Sequence, residues 1–228
     1  VRKKLEAFEL AVSFPPILAD TRQNLEAVQL ACTQLQNSPK FRKLLEIIVL
    51  VCNFMAKGMG ARTKTVGGFK MTSLKALGNT KTTDNSKTLI NFLCETVHKN
   101  FPDIVDWSKE IEGVVPATRV ESANLASQCK AIVDTVKKLE DINKAIMQNP
   151  ENQVFSAELS QIVSDYGTSS LVVANAEKRF NEDYQKVVVL YGEDAKKPPK
   201  SEEFMANFKE FYELYEKAET QYAEQQEK

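Results

Sequence analysis

"LASQCKAIVDTVKKLEDINKAI", residues 125–146, and "FSAELSQIVSDYGTSSLVVANAEKRFNEDYQKV", residues 155–187, decide the fold. In the first, Leu125, Cys129, Ile132, Val136, Leu139 and Ile146 step by threes and fours, with one polar step through Asn143. In the second, Phe155, Leu159, Ile162, Tyr166, Ser169, Val173, Ala176, Phe180, Tyr184 and Val187 do the same. That spacing lines one face of an α-helix. Asn149-Pro150 separates the runs, and two long helices joined by a tight connection pack antiparallel. The second helix should run about 38 residues, roughly 57 Å at 1.5 Å per residue.

Working outward, the rest also reads as helix. Ala19 to Asn37 carries Leu25, Val28, Cys32 and Leu35 on one face. Ser38 is a good N-cap and Pro39 a good first-turn residue for a second helix through Met55. That helix is apolar nearly all round, from Leu44 to Val51, which predicts a central, buried position. A short helix is expected near Thr72 to Leu77. Asp84 should cap a helix through His98 that buries Leu89, Ile90, Phe92, Leu93 and Val97. Pro102 and Pro116 break the next stretch, with Trp107 between them. Gly192 ends the long helix of residues 155–187, and Ser201 with Glu202 and Glu203 starts the last one. Its stripe is Phe204, Phe208, Phe211, Tyr215, Ala218 and Tyr222, which predicts packing within the chain. The reading is all-α: an elongated helical bundle with a long antiparallel coiled-coil-like helix pair.

Composition narrows the function. Of 228 residues, 43% are hydrophobic and 27% charged, with formal net charge −1, as in a folded helical protein. No apolar run is long enough to span a bilayer. Residues 1–19 carry acids and two prolines where a signal peptide needs an apolar core. Val1 is not methionine, which suggests a piece of a longer chain. Cys32, Cys52, Cys94 and Cys129 lie far apart among apolar neighbours, as buried free thiols of a reducing, cytoplasmic compartment do. With His98 as the single histidine, a metal site or a histidine-based triad has little to work with. Glu6/Glu9 and Glu202-Glu203 read as helix-surface charges, and neither an enzyme nor a cofactor is expected.

Residues 51–84, "VCNFMAKGMGARTKTVGGFKMTSLKALGNTKTTD", hold five of the eight glycines. From Lys57 to Lys87 there are seven basic residues and one acid, Asp84, a net +6. Phosphate binding fails on spacing: "GMGARTKT" matches neither a P-loop nor a dinucleotide fingerprint, and a helix rather than a strand precedes it. Nucleic acid lacks support because Phe69 is the lone aromatic of the segment and the isoelectric point is near 6.1. With acids nearly absent, these charges should be locally unpaired. They favour an acidic protein surface reached by electrostatic steering. The final helix is acidic by contrast, with eight acids and three lysines from Ser201 onward.

Three separated motifs resemble the formin homology 2 domain, the actin-assembling domain of formins. The first is "ACTQLQNSPKFRKLLE". The second is "LLEIIVLVCNFMAKG" followed by "GFKMTSLKALGNTKTTDNSKTLINFL". The third is "YGEDAKKPPKSEEFMANFKEFYELYEKA". The matching residues include Asn53, Phe54, Met55, Gly68, Phe69, Leu74, Leu77, Thr80 and Lys81. The resemblance implies one elongated domain: knob and core helices at residues 1–56, a post region at 57–119, a coiled coil at 120–191 and a C-terminal helix at 192–228.

The resemblance also implies a mechanism. In the family, a tryptophan-bearing lasso of one subunit wraps the post of another, and a post lysine grips actin at the filament barbed end. That lysine falls on Lys81, with Arg62, Lys64, Lys70 and Lys75 as basic neighbours. The lasso-receiving pocket falls on Cys52, Asn53, Phe54, Met55, Ala56, Gly68 and Phe69. The partners implied are actin and a second copy, with no nucleic acid and no membrane span, in the actin cytoskeleton. Lasso, linker and most of the knob are expected upstream of Val1, and Trp107 does not replace the lasso tryptophans. Cys52 stands where the family has glycine and Ala56 where it has asparagine, which would narrow the lasso pocket. Two alternatives remain: a helical scaffold that has lost actin assembly, and binding to the acidic tails of tubulin.

Overall fold

A computed structural model describes residues 2–58, 67–82, 86–148 and 150–227, and of residues 56–58 only the backbone. The described residues form α1 (Arg2–Gln36), α2 (Pro39–Gly58), α3 (Ala76–Asn79), α4 (Leu89–Asn100), α5 (Val114–Ala117), α6 (Ser122–Met147), α7 (Gln153–Leu190) and α8 (Ser201–Gln226). Short 3₁₀ turns lie at Met71–Ser73, Pro102–Ile104, Trp107–Glu110 and Pro150–Asn152. There is no strand among them, and the class is all-α. The chain divides into two compact units that cut across its order. One is Val1–Gln29 with Val120–Asp183, the other Leu30–Arg119 with Tyr184–Lys228.

The first unit packs the start of α1 with α6 and most of α7. Asn143 pairs with Ser156 and Ser160, while Cys129, earlier on α6, meets Glu177, later on α7. The partner number rises as the α6 number falls, so the two helices are antiparallel. Ala7, Leu139, Ile142, Ile146 and Leu159 form one buried cluster. Removing such apolar surface from water stabilises the seam by about 25 cal/mol per Å². The polar step at Asn143 is buried too. Its Nδ2 donates to Ser160 Oγ at 2.8 Å, and its Oδ1 accepts from Ser156 Oγ at 3.1 Å. Both ends of the amide are therefore satisfied, as burial demands.

α1 starts at Arg2 instead of Ala19, and Pro15 and Pro16 lie inside it. A proline there removes the N–H that would reach the carbonyl four residues back. For Pro15 that carbonyl belongs to Ala11, and Tyr166 Oη donates to it at 2.8 Å. The Tyr166 ring stacks on Phe14 with centroids 4.0 Å apart. A tertiary contact thus supplies what the helix lacks, and sequence periodicity alone has no view of it.

The second unit is organised by the stripe of α8. Phe204, Phe208, Phe211, Tyr215 and Ala218 are all buried. Trp107, fully buried, stacks on Phe41 at 5.4 Å and meets Tyr215 edge-on at 4.9 Å. α8 packs along α4 and α5. Gly78 of α3 comes so close to α8 that an added Cβ would lie 2.7 Å from Leu214. Gly192 closes α7 at φ +76°, with Glu193 N–H bonded to Val188 O at 3.0 Å and Gly192 N–H to Val189 O at 3.0 Å. That is a Schellman closure, in which the left-handed residue favours glycine.

Several local expectations change. α4 begins at Leu89, capped by Thr88 Oγ1, which accepts from Asn91 N–H; Asp84 lies outside the described residues. Ser201 is the first residue within α8 and Lys200 holds the cap position, because Phe204 N–H closes the first helical bond onto Lys200 O at 2.9 Å. The short helix near Thr72 to Leu77 is two pieces, a 3₁₀ turn and α3. α2 is not buried all round: Leu50 is 67% and Phe54 80% exposed. Cys52 is likewise an exposed thiol, whereas Cys32, Cys94 and Cys129 are buried. The reason is common to all three: the buried residues of α2 end at Ile48, and none of the described side chains from Leu50 to Met55 is buried.

Candidate functional site

The open face of α2 builds a groove in the second unit. Leu50 and Phe54 sit one turn apart, as do Val51 and Met55, and i, i+4 residues share a helix face. Leu89 and Phe92 of α4 supply the opposite wall, and the groove encloses about 1040 Å³. Large side chains left in water cluster here. An exposed apolar patch of this kind is the usual mark of a docking surface.

One end of the groove is charged. Lys87, Glu95 and Lys99 line it. Glu95 pairs with Lys87, and with Lys99 at 2.7 Å. The two ammonium groups, Lys87 first, hold the Glu95 carboxyl below its ordinary range. The rim therefore stays ionised at neutral pH and carries one excess positive charge.

Beside this rim the chain folds back on itself. Leu89 N–H bonds to Thr80 O at 2.7 Å, and Thr82 N–H to Lys87 O at 2.9 Å. These bonds set Lys81 opposite Thr88 in an antiparallel bridge at the foot of α4. Thr82, the next residue, lines the groove. Lys81 is exposed, and no described acid lies within ion-pair distance of it.

The other basic residues differ. Lys70 lies 3.6 Å from Glu193 and Lys75 3.9 Å from Glu210. The expectation that the cluster is locally unpaired is thus wrong for Lys70, Lys75 and Lys87. Acids outside the segment come to meet them, Glu193 and Glu210 from the turn before α8 and from α8, and Glu95 from α4, which a count along residues 57–87 misses. Arg62 and Lys64 lie outside the described residues. So does the side chain of Ala56.

Of the expected pocket residues, Phe54 and Met55 line the groove together, whereas Cys52, Asn53, Gly68 and Phe69 are not among its walls. Gly68 is exposed and Phe69 half-buried. Leu50 and Phe92 are exposed in the groove, although the sequence reading placed them in the interior, while Leu89 lines it and is buried as expected. A four-residue apolar spacing marks a helix face but does not say whether that face meets protein or water.

An all-helical chain with an apolar groove and a bridged basic turn beside it has the features of a docking module. The sequence pattern of the Formin Homology 2 Domain matches residues 1–216. The chain belongs to that family. Among its relatives, Formin-A of Dictyostelium discoideum is 26% identical over 222 residues, covering 96% of this chain and 18% of the relative. Protein diaphanous of Drosophila melanogaster is 26% identical over 216 residues, covering 94% and 20%. Protein diaphanous homolog 3 of Homo sapiens is 27% identical over 221 residues, covering 92% and 18%. The chain thus spans about a fifth of the length of these relatives. No helix among the described residues is long and apolar enough to cross a membrane.

Proposed function

We propose that this chain is the actin-contacting part of a formin homology 2 domain, acting at filament barbed ends in the cytoskeleton of the cytoplasm. It works by positioning protein surfaces, without covalent chemistry. The observation that carries the reading is Lys81: exposed, without a described acid beside it, and held by backbone bonds next to an open apolar groove. A cation fixed in place meets an acidic partner at lower entropic cost than one on a free loop. Lys70 and Lys75 contribute less, since each already leans toward a surface glutamate. Arg62 and Lys64 extend the basic face in the sequence. The groove of Leu50, Phe54 and Phe92 would receive an apolar segment of a second copy, which supports closure into a dimer and, with it, nucleation.

The test is Lys81→Ala in the complete domain. Barbed-end affinity should fall on the order of tenfold or more, with helicity unchanged by circular dichroism. Parent-like affinity for filament ends would sink the assignment. A second reading, a formin-shaped scaffold, draws on Cys52 standing where the family has glycine. Bulk actin polymerisation unaltered by the complete domain would favour the scaffold.

A further inference from the structure

Cys94 and His98 lie one turn apart on α4, and Glu219 faces them from α8. Glu219 is set apart from Glu210, Glu213 and Glu216, which point into solvent, because it follows Tyr215 by one turn on the inward face of α8. One donor atom from each of Cys94, His98 and Glu219 lies within 4.8 Å of the others. His98 Nε2 meets Glu219 Oε2 at 2.8 Å, and the His98 ring stacks on Tyr222 at 4.5 Å, which fixes its plane. The other carboxylate oxygen, Glu219 Oε1, is buried with no hydrogen-bond partner among the described residues. Tyr215 Oη, on a residue 1% exposed, faces the Cys94 thiol, and that thiol also faces the Glu219 carboxylate. Sulfur, imidazole nitrogen and carboxylate oxygen therefore already converge on one point between α4 and α8.

We propose that Cys94 Sγ, His98 Nε2 and the Glu219 carboxylate bind a zinc ion that ties α4 to α8. A sulfur, an imidazole nitrogen and one carboxylate suit borderline-soft Zn²⁺, while Mg²⁺ and Ca²⁺ demand oxygen donors throughout. Tetrahedral zinc sets its donors about 3.3–3.8 Å apart, given zinc–ligand bonds of roughly 2.0–2.3 Å. The 2.8 Å contact would open by about half an ångström, and the thiol would close in. Three protein ligands leave the fourth position to water or to an outside donor. Zinc binds the thiolate, so it enters as the Cys94 thiol releases one proton to solvent. The side chains of His98 and Glu219 are 23% and 30% exposed, which gives the ion a way in.

Co²⁺ serves as the spectroscopic stand-in, added to the chain carrying Cys52→Ser so that the exposed thiol does not compete. The expected result is a near-ultraviolet thiolate-to-cobalt band with visible bands of tetrahedral intensity. They should saturate at one equivalent and be abolished by Zn²⁺ but not by Mg²⁺. Adding Cys94→Ser should remove the near-ultraviolet band. Glu219→Gln, a near-isosteric change at a half-exposed position, should weaken Co²⁺ binding by about tenfold or more. No band at one equivalent in a helical protein overturns the proposal. So does a band that survives Cys94→Ser, or Co²⁺ affinity unchanged in Glu219→Gln.

Discussion

Replacing Tyr166 by phenylalanine removes one oxygen and keeps the ring that stacks on Phe14 at 4.0 Å. The lost group is the donor to Ala11 O, the carbonyl that Pro15 leaves without a helical partner. A net hydrogen bond is worth about 0.5–1.5 kcal/mol, and a buried orphaned acceptor costs up to about 3. Ala11 is half-buried, so water recovers part of the loss, and the expected cost is about 1 kcal/mol. In a chain of this size that is a fall of roughly 2–4 °C in Tm. The discriminating step is to repeat the change in a Pro15→Ala background, where residue 15 regains an N–H for Ala11. There Tyr166→Phe should cost only a few tenths of a kcal/mol, leaving a coupling of about 0.5–1 kcal/mol. Urea unfolding followed by circular dichroism at 222 nm measures all four corners of the cycle. An equal cost in both backgrounds would refute the idea that the hydroxyl substitutes for the missing N–H.

Two further outcomes are expected. A maleimide at neutral pH should add once to the native chain, at exposed Cys52, and to all four cysteines only after unfolding, since burial pushes the Cys94 and Cys129 thiols up to about 12; intact mass reads the count, and native labelling at Cys94 would contradict it. Gly192→Ala should cost about 1–2 kcal/mol from its φ of +76° alone, because an added Cβ there meets nothing within 4 Å; an unchanged melting temperature would count against that.

The helix pair of α6 and α7 was legible because its signal is long, periodic and local. The α8 stripe was legible for the same reason, and all five residues from Phe204 to Ala218 in it are buried. What escaped was decided by distant residues. The run through Pro15 and Pro16 depends on Tyr166, 155 positions away from Ala11. The pairing of Lys70 and Lys75 depends on Glu193 and Glu210. The openness of α2 at Leu50 and Phe54 depends on no described residue covering it, which local sequence spacing does not record. The candidate site was therefore only half readable: Lys81, Phe54 and Met55 came from motif resemblance, while the exposure of Leu50 and Phe92 showed only in the fold.

The amide of Asn143, held between Ser156 and Ser160, also works as a proofreading key. Sliding α7 along α6 by one heptad would bring Val163 and Gly167 to the places of the two serines. Neither side chain can bond the amide, so the slipped hairpin would bury an unmatched polar group at a cost of about 1–3 kcal/mol. One asparagine thus lets the chain reject a misaligned hairpin while it is still forming.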